Sequence, residues 1–384
     1  MTRGLAEPLD PTVFGELLIS LGREARPFRF EVAPNPCVGA AVLADGQEVA
    51  RGFHEAWGDA HAEVNALAAA GATDVPPERW DTLVCTLEPC SSAGKTPPCV
   101  ERIKQSGIRR VVVGAVDPDP RHAGQGLELL REAGLDVIVL EGYTPLTEVA
   151  PHFLGWTSPD RLRRPHPWTV AKWAQTRTGQ LSPPEDVGEG RWISGPESLA
   201  EVRVLRGRVD AIVTGIGTVL ADDPRLTVRP PGDVSRAPLR IVLDSYLRTP
   251  PESRLLKQPG PDEGGGAVHI LCMAGADATR HRALVDAGAQ VHGLHVNEED
   301  NLSLRDAQGW LWDLGVRRVL VEAGPRVLER YLQTGFVDQI RVYTGSVNGG
   351  RGASMAHHLS GVPLVGRADR ESGPDAVLEA FVAR

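Results

Sequence analysis

The stretch "TLEPCSSAGKTPPC", Thr86–Cys99, holds two of the chain's five cysteines, nine positions apart and each following a proline. Upstream stands "HAEVNAL", His61–Leu67, which reads as the opening of a helix over 62–71. One histidine nitrogen and two thiolates, from His61, Cys90 and Cys99, form a three-ligand zinc set with one tetrahedral position left open. Open zinc sites do chemistry because the cation lowers the pKa of bound water to about 7. Glu63 then reads as a base beside that water, not as a ligand. Residues two apart lie roughly 200° apart around a regular helix. His61 and Glu63 can therefore serve one site only at a helix end, where Gly58-Asp59 places it. Cys90 and Cys99 are both read as helix starts, which favour thiolates, with Pro97-Pro98 suited to a first turn.

Other readings of these residues are weaker. Most lone cysteines are small core residues, and Cys85 and Cys272 are assigned to cores on that basis. "GKT" at 94–96 invites a phosphate-loop reading, but proline occupies position 89, where that motif needs glycine. Histidine and glutamate two apart, followed by proline–cysteine, is the order of zinc deaminases, here with eight residues between the cysteines instead of two.

Composition bounds the rest. A chain of 384 residues exceeds what one core usually fills, so two domains are expected. A net charge of −9 disfavours a general electrostatic grip on nucleic acid. No apolar run approaches the roughly 20 residues of a membrane helix, and the N-terminus lacks a secretory apolar segment. Five cysteines, an odd number, argue against a disulfide framework. The expectation is a cytoplasmic protein whose partner is a small molecule, neither nucleic acid nor membrane.

Strand and helix signals alternate through both halves, the mark of α/β layers. Strands are read at 37–44 and 48–54 around the Asp45-Gly46 turn, then at 81–88, 108–116 and 135–142, with helices at 62–71, 100–107 and 126–134. "TSPDRLRRPHP" (157–167) breaks the pattern, giving a first domain at 1–150, a linker at 151–167 and a second domain at 168–384. In the second domain strands are read at 168–174, 209–214, 239–244, 267–272, 316–321 and 337–343. Helices are read at 196–207, 278–288, 303–314 and 324–334, with a surface loop at 257–267.

The motifs "APNPCVGAAV" (33–42), "GFHEAWGDAHAE" (52–63), "TLEPCSSAGKTPPC" (86–99) and "DPDPRHAGQGLELLREAG" (117–134) resemble the deaminase half of the bifunctional diaminohydroxyphosphoribosylaminopyrimidine deaminase/reductases of riboflavin biosynthesis. The stretch 190–229 and "LVEAGP" (320–325) resemble the reductase half of the same family. The resemblance implies a cytidine-deaminase-like three-layer α/β/α domain followed by a dihydrofolate-reductase-like domain. It implies Zn2+ and NADPH, a pyrimidine ribosyl phosphate as substrate, and a homo-oligomer, dimer or larger. By the same resemblance Glu63 and Asp223 are catalytic. Asn35, His54, Lys95, Thr96, Arg206, Leu226, Arg229 and Glu322 bind substrate, the two arginines at its phosphate. Lys172, Ala174, Trp192, Gly215, Gly217, Thr218, Asp222, Ser245 and Gly324 line the cofactor. "TGIGTV" (214–219) can let backbone amides approach a pyrophosphate but lacks the third glycine of a Rossmann fingerprint.

Several positions depart from the family pattern. Ser92 stands for a usual histidine, Asp119 for an asparagine, Gln125 for a basic residue and Thr178 for an aspartate, and "GSVNGGRG" (345–352) replaces a Pro-Lys-Leu-Leu-Gly run. Two alternatives therefore stand beside the bifunctional enzyme: a zinc deaminase of a related pyrimidine with a changed or silent reductase, and a non-catalytic zinc-stabilised binding protein. Glu63 argues against the latter, since structural zinc has no use for it.

Overall fold

Strand β1 (Gly39–Ala44) carries no polar side chain and is buried along its whole length, the signature of a central strand. It turns through Asp45-Gly46, both at positive φ (50° and 77°), into antiparallel β2 (Gln47–Phe53). On its other side β1 pairs antiparallel with β3 (Trp80–Cys85), and β4 (Arg110–Val113) and β5 (Asp136–Val139) continue in parallel. The order is β2-β1-β3-β4-β5. This computed structural model describes residues 11–184, 193–296 and 302–383.

Alternation along the strands divides the core in two. Ala40, Val42, Leu83, Cys85, Val111 and Val113 pack with Ala66, Leu67, Ile103, Leu127 and Leu130 from helices Ala62–Gly71, Cys99–Lys104 and Gln125–Glu132. Ala41, Leu43, Val84 and Val112 pack instead with Phe14, Leu18 and Leu21 of helix Pro11–Ala25. The unit is the expected three-layer α/β/α sandwich. The N-terminal helix adds an element that the sequence reading lacks.

The expected linker requires correction. Residues 151–163 form two short helices, Pro151–Trp156 and Pro159–Arg163, and the chain divides into compact units between Arg164 and Pro165. Each helix has proline at its first position, where the missing N–H costs nothing; in sequence those prolines read as breaks. His152 lies buried in the first unit, and its Nε2 donates to the Asn35 carbonyl at 2.8 Å.

The second unit is built on nine strands in the order β11-β10-β9-β8-β12-β6-β13-β16-β15. Here β6 is Trp168–Gln175, β8 Ala211–Gly215, β9 Leu239–Leu243, β10 Val268–Met273, β11 Gln290–Leu294, β12 Arg318–Val321 and β13 Gln339–Thr344. All of these pair in parallel. Strands β15 (Leu364–Ser372) and β16 (Asp375–Val382) close one edge antiparallel. A small ribbon pairs β7 (Gln180–Ser182) with β14 (Arg351–Ser354). One sheet face packs on helices Leu304–Asp313 and Pro325–Gln333 through Leu311, Leu328 and Tyr331. Val242, Ile270 and Cys272 line the other, with Leu284 of helix Ala278–Asp286. Strands β11, β15 and β16 and the helix Ile216–Asp222 are absent from the sequence reading.

Candidate active sites

His61 is the N-cap of helix Ala62–Gly71, with extended backbone (φ −74°, ψ 165°), and Glu63 lies in the first turn. The break in helical geometry lets both side chains serve one place, as the sequence requires. Glycine at 52 brings the helix in: a Cβ there would sit 2.1 Å from the Ala66 nitrogen. Cys99 begins its own helix, with Pro98 just outside as the N-cap. Cys90 lies in the loop after β3 and does not open a helix, which corrects one expectation.

The His61 Nδ1 lies 3.5 Å from the Cys90 Sγ and 3.4 Å from the Cys99 Sγ. The Cys99 N–H donates to the Cys90 sulfur at 3.3 Å. A hydrogen bond between the two thiols pulls Cys90 down and pushes Cys99 up. One nitrogen and two sulfurs, all within 4.8 Å of one another, suit zinc. Glu63 is almost fully buried, and its Oε2 has no hydrogen-bond partner among the described residues. Burial pushes its carboxyl up, and the other groups acting on it are His61, Cys90 and Cys99. An orphaned, buried carboxyl oxygen beside three metal ligands is the arrangement that a metal-held water would complete.

Asn35 and His54 meet next to this centre. The His54 Nδ1 donates to the Ala60 carbonyl at 3.1 Å, which leaves Nε2 to accept from Asn35 Nδ2 at 3.2 Å. The His54 ring stands edge-on to His61 with centroids 5.0 Å apart. Lys95, on the loop between the cysteines, sits 4.2 Å from the centroid of the Trp57 ring. Thr96 accepts through its carbonyl from the Gly94 N–H at 3.2 Å.

In the second unit Glu322 follows β12 and is clasped by two cations. Arg206 binds it with one edge of its guanidinium, Nε to Oε1 at 2.7 Å and Nη2 to Oε2 at 3.0 Å, and the Lys172 Nζ stands 3.7 Å away. Burial alone would push the Glu322 carboxyl up, but Arg206 and then Lys172 overcome it and hold it at about 2. Lys172 is held below its ordinary range by burial, against the pull of Glu322. Arg206 and Arg229 converge on Thr227, Nη1 of the first on its carbonyl at 3.2 Å and Nε of the second on its hydroxyl at 3.3 Å. Arg229 also pairs with Glu263 at 3.0 Å. Arg206 therefore gives much of its fork to Glu322.

Gly215 caps the helix Ile216–Asp222, and a Cβ on it would meet the Val327 side chain at 2.7 Å. The Gly324 N–H donates to Thr218 Oγ1 at 3.1 Å, which joins two helix starts. A Cβ at Gly217 would meet nothing within 4 Å, leaving backbone open to a phosphate group. Asp223 and Leu226 both adopt left-handed backbone (φ 41° and 53°), strain of the sort that gathers at functional sites. Asp223 Oδ1 accepts from the Arg254 N–H at 2.8 Å, Asp222 is pushed up by burial, and Leu226 is buried. Ala174 lies on β6, and Ser245 follows β9, where its carbonyl accepts from Met273 N at 3.1 Å. Trp192 lies outside the described residues.

Comparison with known proteins decides between the readings. Residues 23–115 match the cytidine and deoxycytidylate deaminase zinc-binding region, and residues 167–363 match the RibD C-terminal domain. The riboflavin biosynthesis protein RibD of Aquifex aeolicus is 34% identical over 342 residues, 88% of each chain. The chain belongs to the RibD family. The Escherichia coli RibD is 32% identical, covering 91% of this chain and 94% of its own. RibD of Acinetobacter baumannii, form 1, superposes with a TM-score of 0.67 at 26% identity over 98% of this chain and 100% of its own. The Thermotoga maritima deaminase/reductase gives 0.63 at 26% identity, over 96% and 99%. As a RibD-family protein the chain is a bifunctional deaminase and reductase of riboflavin biosynthesis, with a zinc-binding first unit and a reductase second unit that uses NADPH. Among the described residues no helix is long and apolar enough to cross a membrane.

Four of the places read from the sequence as departures are linked in pairs. Thr178 Oγ1 accepts from the Gly349 N–H at 2.9 Å, joining two segments where the sequence differs. Asp119 binds Arg121, whose carbonyl in turn accepts from Gln125. Ser92 is exposed on the loop between the cysteines. Sequence reasoning missed Glu88, Arg121, Glu201 and Glu263. Glu88 was visible as the acid two before Cys90 and Arg121 as part of the 117–134 motif; Glu201 and Glu263 carry no motif.

Proposed function

We propose that the first unit hydrolyses the ring amine of 2,5-diamino-6-(5-phosphoribosylamino)pyrimidin-4-one, and that the second reduces the ribosyl group of the resulting uracil to ribityl. The buried, unpaired Glu63 Oε2 beside His61, Cys90 and Cys99 carries this reading. His61, Cys90 and Cys99 would hold zinc, which supplies the Lewis acidity that brings a water near pKa 7. Glu63 takes a proton onto Oε2 and returns it to the departing amine, a shuttle that its raised carboxyl favours. Asn35 and His54, locked to each other in one tautomer, orient the base.

In the second unit Gly215, Gly217, Thr218 and Gly324 would hold the pyrophosphate of NADPH, which would supply hydride chemistry. Lys172, Glu322 and Asp223 would stand around the ribosyl group. Reduction to ribityl leaves one more hydrogen on the anomeric carbon and, once its bond to that carbon has broken, a proton on the former ring oxygen. Arg206 and Arg229, meeting at Thr227, hold the phosphate. A small-molecule pyrimidine thus serves both sites in turn.

Glu63→Gln tests the deaminase half. The variant keeps one zinc per chain while ammonia release falls by about 10²- to 10⁴-fold. Wild-type rates from the variant would remove Glu63 from the chemistry.

A further inference from the structure

We propose that Arg121 grips the phosphate of the deaminase substrate, an assignment that rests on the deaminase reading above. The loop that carries it, residues 117–126, is fixed to the metal-ligand segment. The Glu88 carboxylate accepts three backbone N–H bonds from that loop: Asp117 at 3.1 Å, Gly124 at 2.9 Å and Gly126 at 2.8 Å. Gly126 packs so tightly on the segment that a Cβ there would lie 2.1 Å from the Pro89 carbonyl oxygen. Cys90 is the next residue. Loop and metal centre therefore hold one relative position.

Within the loop Arg121 is braced from two sides. Its Nε lies 2.9 and 3.1 Å from the two Asp119 carboxylate oxygens, and its Nη2 lies 2.6 Å from Oδ2. The Arg121 N–H also donates to Asp119 Oδ1 at 3.0 Å, and Gln125 Nε2 donates to the Arg121 carbonyl at 2.7 Å. Asp119 and Gln125, both read from the sequence as departures from the family pattern, hold Arg121. The carboxylate is buried (5% side-chain exposure) while the guanidinium is 58% exposed. A guanidinium has five N–H donors; Nε–H and one on Nη2 go to Asp119, so three remain, and among the described residues Nη1 has no protein partner. One edge is thus anchored and the other is offered outward, a preorganised fork suited to phosphate oxygens. In a chain of net charge −9, a cation fixed on a loop tied to the metal-ligand segment matters more for an anionic substrate.

A purely structural Asp119–Arg121 pair would not care about the phosphate, and the test uses that difference. Deamination is measured on the diaminopyrimidine ribosyl phosphate and on its dephosphorylated riboside, for wild type and Arg121→Ala. The expected result is that the ratio of kcat/KM, nucleotide over riboside, falls about tenfold, as for loss of a hydrogen bond to a charged group. Arg121→Lys, which keeps the charge but not the fork, recovers part of the ratio. The double variant Asp119→Asn with Arg121→Gln removes both charges without stranding the buried carboxylate, and its ratio should fall equally. An unchanged ratio in both Arg121→Ala and the double variant would overturn the proposal. If the wild type released ammonia from neither substrate, the deaminase reading itself would fail and the proposal with it.

Discussion

Replacing Glu322 by glutamine should destabilise the second unit by an amount that depends on pH in a calculable way. Glu322 lies between Arg206 and Lys172 with only 12% of its side chain exposed. Its carboxyl drops from an ordinary 4.5 to about 2. Because the folded value is depressed, the stabilisation is fully present above 4.5 and is lost as pH falls toward 2. At pH 7 that drop is worth about 3 kcal/mol. This is an upper bound, since Lys172 is itself held below its ordinary range and returns part of the gain. At pH 3.5 the same two values leave about 2 kcal/mol. Urea unfolding of wild type and Glu322→Gln, read by hydrogen exchange on peptides of the second unit alone, measures the gap. It should be about 3 kcal/mol at pH 7 and narrow by roughly 40% at pH 3.5. A gap that is the same at both pH values, or absent at pH 7, would refute the reasoning.

Two further outcomes follow from the first unit. Gly52→Ala places a Cβ 2.1 Å from the Ala66 nitrogen and 2.7 Å from the Ala62 carbonyl oxygen, so the helix bearing His61 and Glu63 must shift. Zinc content and ammonia release should fall, with a stability loss of about 3 kcal/mol or more; unchanged zinc binding would contradict that packing. Cys90→Ser removes one thiolate, and zinc measured by mass spectrometry after mild chelation should drop from one per chain toward zero. Retention of the metal would exclude Cys90 as a ligand.

The metal centre was legible because His61, Glu63, Cys90 and Cys99 announce their chemistry by type and order, and only a helix end can bring the first two together. The central strands were legible for a simpler reason: buried parallel strands are nearly all apolar. Strands β15 and β16 were not, because charged side chains point into the unit. Arg341 and Glu379 form a buried pair at 2.5 Å, and Arg370 bridges Glu379 to Glu201, whose carboxylate also accepts from Tyr343 and Ser372. Satisfied ion pairs erase the alternation that a sequence reading relies on. Prolines at 151 and 159 hid two helices by the same kind of ambiguity, since proline both breaks helices and begins them. The role of Arg121 was invisible for a third reason. Its meaning comes from the Asp119 carboxylate that holds it and from Glu88, which fixes their loop beside Cys90.

The central claim is that one chain performs two successive steps on one pyrimidine ribosyl phosphate. Mass spectrometry of the products, with the zinc-loaded protein and the diaminopyrimidine nucleotide, tests it directly. Exchange of an amine for an oxygen adds about one mass unit, and reduction adds about two more. The account predicts the first shift with or without NADPH, and the second only when NADPH is present. The first shift alone, with NADPH supplied, would contradict the reductase assignment; neither shift from zinc-bound protein would contradict the whole.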